Sequence, residues 1–469
     1  MRPWLRRIPS FLGYTAAVLA VAALSVWLSV RVTPLQTVSP AGQTVQVGAA
    51  TPDLNMSGPG ELELFGQSIP TRPRFEGPIR PRLKLTHIFF NAQASALTKP
   101  GGAQAAGKDL SRQLTAAWTR YLLWETLIAA GFAALIAIAV AGVRRSSRTA
   151  MLKMLAVAVT SVCALNALGV YLLASATPAA LRQVRGIEDL VGPGTPAPVQ
   201  AVGAPARPGV QAVVIGDSTA AAIGNAPLGH PTAEDKACGR SKDAYALYLA
   251  AANNWNTLNL ACSGATIRDG LLGPQQRGTT QVTPQLSAAM KADKASVIIV
   301  SIGANDIHWS TMTALCAAAN ACDDKASTAY FQQQIAAFTT AYYDLLNSLA
   351  ALPQQPRVLI NEYYNPFGEK IDCLKDQHVT TDKAKTLKSR LDELNSVLRQ
   401  GAQTFDFTAV PQHFDGHRLC SDQPFVQGPD ANAPLHPNAA GELAIALADQ
   451  QALSRTGTPA PTPTAQKTP

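Results

Sequence analysis

Three long apolar runs come first along the chain, and a much longer stretch of alternating short apolar blocks and amphipathic segments follows. Phe11 to Val30 is twenty residues without a charge, preceded by Arg2, Arg6 and Arg7. A second run covers Thr126 to Val143, and a third covers Met154 to about Ser175. Each is long enough to cross a hydrocarbon core of ~30 Å as a helix. The first is longer than a typical signal-peptide apolar region, and no small-residue cleavage site follows it, so it reads as a retained transmembrane helix. Arg144, Arg145, Arg148 and Lys153 lie between the second and third runs with no acid among them. Such a loop is expected to stay in the cytoplasm. Three crossings then place residues 34–120, and everything after 176, on the extracytoplasmic side of the cytoplasmic membrane. Tyr121 and Trp124 stand where interfacial aromatics would, and Asn166 reads as a polar contact to a neighbouring helix.

Within 34–120 the pattern changes to period two. Thr44-Val-Gln-Val, Glu61 to Phe65 and Arg82 to Ile88 alternate apolar and polar positions between Gly and Pro clusters. These predict short strands of a small β unit. It shows no chemistry, His87 reads as structural, and an envelope protein partner is a role open to it. Residues 176–208, rich in Pro, Gly, Ala and Val, predict an extended linker. Residues 455–469, rich in Thr and Pro, predict a disordered tail. The division is therefore 1–33, 34–120, 121–175, 176–208, 209–454 and 455–469.

From 209 onward, strand and helix patterns alternate. Strands are predicted at Val210–Ile215, Thr257–Ala261, Ser296–Ser301, Arg357–Ile360 and Phe405–Val410. Helices are predicted near Asp243–Ala252, Ser327–Leu352 and Asp382–Gly401, and after Pro437. Continuous apolar strands alternating with helices mean an α/β domain with a parallel sheet covered on both faces. In such sheets the site lies beyond the carboxyl ends of the strands.

Composition supports the membrane reading. Only 15% of residues are charged and 47% are hydrophobic, against about 25% charged in an ordinary soluble domain. The net charge of +8 is unevenly distributed. Residues 209–454 hold 17 basic and 23 acidic side chains, and the rest of the chain holds 22 basic and 8 acidic. The basic excess accompanies the apolar runs, where it would meet anionic lipid headgroups. A nucleic-acid-binding role, which needs a basic face on the folded domain, is disfavoured. Six of the seven cysteines, Cys238, Cys262, Cys316, Cys322, Cys373 and Cys420, fall in the C-terminal half without a close metal-binding pair. They read as a disulfide framework, and pairing of sequence neighbours is its simplest connectivity. No ligand constellation calls for a metal or another cofactor.

Four short motifs lie at the predicted strand and helix junctions. Gly216-Asp217-Ser218 follows the first strand, offering a serine at a helix start, where negative charge is favoured. Ser263-Gly264-Ala265 follows the second, and its glycine lets a substrate oxygen approach a backbone N–H. Gly303-Ala304-Asn305-Asp306 follows the third and supplies an amide suited to an oxyanion. Leu435-His436-Pro437-Asn438 precedes the last helix and supplies a base. Asp217 reads as a structural hydrogen-bonding group, and His308 as a residue able to line the pocket.

These four motifs, in this order, resemble those of the SGNH (GDSL-type) hydrolases over about 209–453. The resemblance implies a flavodoxin-like three-layer α/β/α domain and needs no cofactor. It implies Ser218 as nucleophile and His436 as base. It further implies an oxyanion hole formed by Ser218, Gly264 and Asn305. The cysteines look like those of secreted actinobacterial esterases and lipases of this family. One position departs from the pattern: the acid usual three residues before the histidine is Ala433. A backbone carbonyl is then expected to hold the imidazole, with Asp430 as the alternative. The expected substrate is an acyl ester of an envelope lipid or an acylated glycan. The same residues would serve an acyltransferase, and a non-catalytic scaffold is a third possibility.

Overall fold

The computed structural model describes residues 8–39, 43–52, 55, 57–77, 79–88, 102–181 and 208–455. The chain divides into two compact units, Met1–Gly194 and Thr195–Pro469.

In the first unit three helices, Ile8–Val32, Gly102–Val143 and Arg148–Leu181, accompany a five-stranded sheet. Segments Tyr14–Val32, Arg112–Val143 and Arg148–Leu168 are long and apolar enough to cross a membrane. The second helix starts at Gly102, well before the apolar run, and the third continues past Ser175 into the expected linker. Most of that linker and nearly all of the expected tail lie outside the described residues. The sheet has strands β1 Gln36–Val38, β2 Gln43–Ala49, β3 Ser57–Leu64, β4 Gln67–Glu76 and β5 Pro81–Ile88, in the order β1-β2-β5-β3-β4. Strand β4 carries Pro70 and Pro73, which hide it from a propensity reading, and it occupies an edge, where a missing N–H is tolerated. Phe65 and Gly66, both with positive φ, make the tight β3–β4 turn. The side chain of His87 lies outside the described residues.

Asn166 reaches a neighbouring helix, as expected: its amide donates to Glu125 and, at 2.8 Å, to the Thr126 hydroxyl. Ser29, on the first helix, also donates to Glu125, so one buried carboxyl group joins all three helices. Trp124 is exposed, but Tyr121 is fully buried, contrary to its expected interfacial place. Gly48 on β2 leaves room for its ring.

In the second unit five parallel strands form one sheet: β6 Ala212–Gly216, β7 Thr257–Asn259, β10 Val297–Ser301, β11 Arg357–Asn361 and β12 Thr408–Val410. Between β7 and β10 a hairpin of β8 Gln275–Arg277 and β9 Thr280–Val282 stands apart from it. The sheet order β12-β11-β10-β6-β7 is the flavodoxin-like 2-1-3-4-5 arrangement. Every residue of β6 and β10 is buried. Since alternate side chains point to opposite faces, both faces are covered. Val214, Ile299 and Leu359 share a core with Tyr245 and Leu249 of the helix Tyr245–Asn253 and with Ile445 of the helix Ala439–Arg455. The helices Lys325–Ala350 and Thr381–Thr404 pack where Gly401 leaves space for the Tyr342 ring.

The six cysteines stand in three pairs of sequence neighbours: Cys238–Cys262, Cys316–Cys322 and Cys373–Cys420, with Cα–Cα distances of 4.2, 4.8 and 5.5 Å. Asp324 caps the helix Lys325–Ala350 through its Oδ1.

Candidate active site

The strand order reverses between β6 and β10, which lie side by side. A crevice forms at the carboxyl end of such a switch point. Ser218 leaves β6 there as the first residue of a one-turn helix, Ser218–Ala221, whose N-cap is Asp217. Gly216 must be glycine, because a Cβ would collide with the carbonyl oxygen of Ser301 on the neighbouring strand. The Gln285 side chain clasps the same residue, accepting from its N–H at 2.7 Å and donating to its carbonyl at 2.9 Å.

The His436 Nε2 lies 2.8 Å from the Ser218 Oγ, across 218 residues of chain. Its Nδ1 lies 3.1 Å from the carbonyl oxygen of Pro434. A carbonyl can only accept, so Nδ1 carries the proton, and the bare Nε2 accepts from the serine hydroxyl. Burial lowers the imidazole's pKa below its ordinary 6.5, although the carbonyls of Pro434 and Ala433 favour the protonated ring. The ring is therefore neutral near pH 7.

The acceptor at Nδ1 is thus a carbonyl one residue beyond Ala433, and Asp430 is exposed and does not supply it. The turn explains this. Leu435 has φ +68, which curls the chain so that a carbonyl two residues back faces the ring. Four consecutive carbonyls of this turn are bonded. Pro434 accepts from the ring, Leu435 from the Tyr364 hydroxyl at 2.7 Å, and His436 from the Gln427 N–H at 2.7 Å. Pro437 accepts from the Gln427 and Asn225 amides, both at 3.0 Å. The Gln427 amide also donates to the Ile223 carbonyl at 2.8 Å, tying the histidine turn to the segment after the serine.

The donor loops converge on the same crevice. Gly264 has φ +76 and is exposed between buried neighbours. Among the described residues, neither its N–H nor that of Ser218 is donated to another protein group. The Asn305 amide uses one hydrogen on the Ala265 carbonyl at 2.9 Å, which leaves its second available. Two acids join the loops beneath, Asp217 buried and Asp306 half-buried. Asp217 accepts from the Tyr363 hydroxyl at 2.6 Å and from the Thr219 N–H at 2.9 Å, and the Ala304 N–H donates to the Tyr363 oxygen at 3.0 Å. Burial pushes Asp217 up to about 6 against those bonds. Asp306 accepts from the Ile267 N–H at 2.9 Å, and burial pushes it up to about 7. His308 bonds Tyr330 through Nδ1 at 2.7 Å and is exposed. The sequence reading missed Gln427, Tyr363, Tyr364, Gln285 and Arg277. Isolated amides, phenols and a guanidinium in loops carry no local signal.

Residues 214–444 match the GDSL-like Lipase/Acylhydrolase family. Lipase 1 of Streptomyces coelicolor is 27% identical over 243 residues, covering 49% of this chain and 81% of that protein. Among solved structures, an extracellular lipase from Streptomyces rimosus is 19% identical, with a TM-score of 0.39, over 52% of this chain and 99% of that one. A phospholipase A1 from Streptomyces albidoflavus is 22% identical, with a TM-score of 0.38, over the same shares. The C-terminal half of the chain belongs to the GDSL-like lipase/acylhydrolase family. It is an SGNH-type serine hydrolase, a carboxylic ester hydrolase.

Proposed function

We propose that the chain is a membrane-anchored, extracytoplasmic serine esterase in which Ser218 is the nucleophile and His436 the general base. The single observation that carries this reading is the 2.8 Å approach of Nε2 to the Ser218 Oγ. Ser218 attacks the acyl carbonyl as its proton passes to Nε2. The tetrahedral oxyanion accepts from the N–H groups of Ser218 and Gly264 and from the Asn305 amide. The imidazolium then gives its proton to the leaving alcohol, and an acyl-serine remains. Water attacks the acyl carbon, loses a proton to Nε2, and the acid leaves as Oγ regains a proton. Pro434 holds the ring in the required tautomer, the task of a triad acid elsewhere.

The substrate is an acyl ester of an envelope lipid or an acylated glycan. A relative named a lipase supports the lipid arm. Anchoring rests on the three apolar helices. The side rests on the basic loop between the second and third of them and on the three disulfides, which persist in oxidising compartments. In this reading the segments 1–33, 34–120 and 121–175 form the anchor region, 176–208 the linker, 209–454 the catalytic domain and 455–469 the tail.

A fluorophosphonate probe on the detergent-solubilised full chain tests the chemistry. Labelling should occur and vanish in Ser218→Ala, with ester turnover falling at least ~10³-fold. A folded wild-type protein that takes no label would refute the assignment. Product analysis with and without a sugar acceptor distinguishes hydrolysis from acyl transfer.

A further inference from the structure

The β8–β9 hairpin brings a cation to the oxyanion loop. Arg277, the last residue of β8, is half-buried, and its Nε donates to the Ala237 carbonyl at 3.2 Å. That bond aims the guanidinium at Gly264: a Cβ built on the glycine would meet Nη1 at 3.3 Å. The surroundings fix this placement. Gln275, at the start of β8, donates to the Ser263 carbonyl at 2.9 Å. The Cys238–Cys262 disulfide packs against Val282 of β9, and the Ser263 N–H bonds the Cys238 carbonyl at 3.0 Å. The hairpin, the disulfide and the oxyanion loop are one braced assembly.

Among the described residues no carboxylate lies within ion-pair distance of Arg277, and its two terminal nitrogens have no protein acceptor. Arg240, by contrast, is paired with both Glu234 and Asp235. A guanidinium presents its free N–H groups as a flat fork that fits two oxygens of a phosphate or carboxylate. This fork stands beside Gly264, an exposed residue whose N–H is not donated to another protein group among the described residues.

We propose that Arg277 binds an anionic group of the substrate, a phosphate held within a few bonds of the scissile ester, and so selects phosphate-bearing esters over neutral ones. This rests on the catalytic reading above. A phosphate on Nη1 would stand close to an acyl carbonyl held at the Gly264 N–H, with an ordinary donor distance at each end. That spacing suits either a phospholipid headgroup or a phosphorylated, acylated glycan.

The test uses full-length protein in detergent. It measures kcat/KM for a phosphate-bearing aryl ester and for a neutral ester of matched size. Two natural arms, phosphatidylglycerol in mixed micelles and an acetylated, phosphate-bearing glycan fragment, distinguish the sources. The wild type should prefer the anionic ester, and Arg277→Gln should reduce the anionic-to-neutral ratio about tenfold, chiefly through KM, with Arg277→Lys between them. Inorganic phosphate should inhibit the wild type competitively and the Gln variant less. An unchanged ratio would overturn the proposal. So would an equal loss on both esters, because Arg277 would then serve the oxyanion itself. Fluorophosphonate labelling of Ser218 separates this failure from that of the catalytic reading. Label with no anion preference ends only the role of Arg277, and no label on the wild type ends both.

Discussion

At the scale of single residues, the site depends on how the imidazole of His436 is held without an acid. The Pro434 carbonyl selects the tautomer, and the bonds at Leu435, His436 and Pro437 hold the turn that presents it. Gln427 contributes to two of these and also reaches Ile223, so it is a positioning residue for the pair. Gln427→Leu should lower kcat about 10–100-fold with KM little changed, because a small displacement of a base costs rate rather than binding. Slower fluorophosphonate labelling of Ser218 at saturating probe would check it. Tyr364→Phe removes one bond to the same turn and should cost about 1 kcal/mol of stability, read by denaturant melts. The acid limb of kcat/KM reports the free imidazole. Because burial lowers that pKa, the limb should have its midpoint below 6.5, with activity lost as pH falls through it.

At the scale of elements, the final helix Ala439–Arg455 carries two fully buried acids that the reaction does not use. Glu442 accepts from the Tyr245 N–H at 3.0 Å, and so caps the helix Tyr245–Asn253. Asp449 accepts from the Asn361 amide at 3.2 Å on β11. Burial pushes Asp449 from 3.8 up to about 8 and Glu442 well above its ordinary value. A raised carboxyl pKa means that the folded state holds a proton which the unfolded chain releases. The stability is therefore full below about pH 4 and is lost progressively as pH rises towards 8. Asp449→Asn should raise Tm over the wild type at pH 8 and much less at pH 5, as calorimetry at the two pH values would show. The Cys373–Cys420 bridge closes a separation of 47 residues. Replacing both cysteines by serine should cost about 2–4 kcal/mol.

At the scale of the whole molecule, the chain joins a helix-rich unit to an esterase domain. The charge distribution fits the proposed division, with the basic excess among the apolar segments and a net negative catalytic domain. In the proposed topology a reporter fused after Arg148 is cytoplasmic, and one fused after Pro208 is not. The reverse pattern would place the catalytic domain inside the cell. Glu125, bonded by Ser29 and Asn166 from the other two helices, gives the bundle a polar centre. Such groups are costly in lipid unless paired. Glu125→Leu should therefore loosen the association of the three helices, seen as faster proteolysis of the detergent-solubilised protein.

Local pattern by itself determined the β–α alternation of the C-terminal half, the three apolar spans and the positions of Ser218, Gly264, Asn305 and His436. Each depends on periodicity or on a few adjacent residues, so each is written in a short window of sequence. It did not determine β4, where prolines mask an edge strand, nor the burial of Tyr121. It also left open which group faces Nδ1, because Pro434 reaches the ring only through the left-handed turn at Leu435. The same holds for Arg277 over Gly264, for Gln427 between Ile223 and Pro437, and for Tyr363 on Asp217. Those contacts join residues from 10 to 204 positions apart. Only the packing of the sheet and its loops brings them together, because a side chain's partner across such distances is set by tertiary geometry and leaves no periodic trace in the chain.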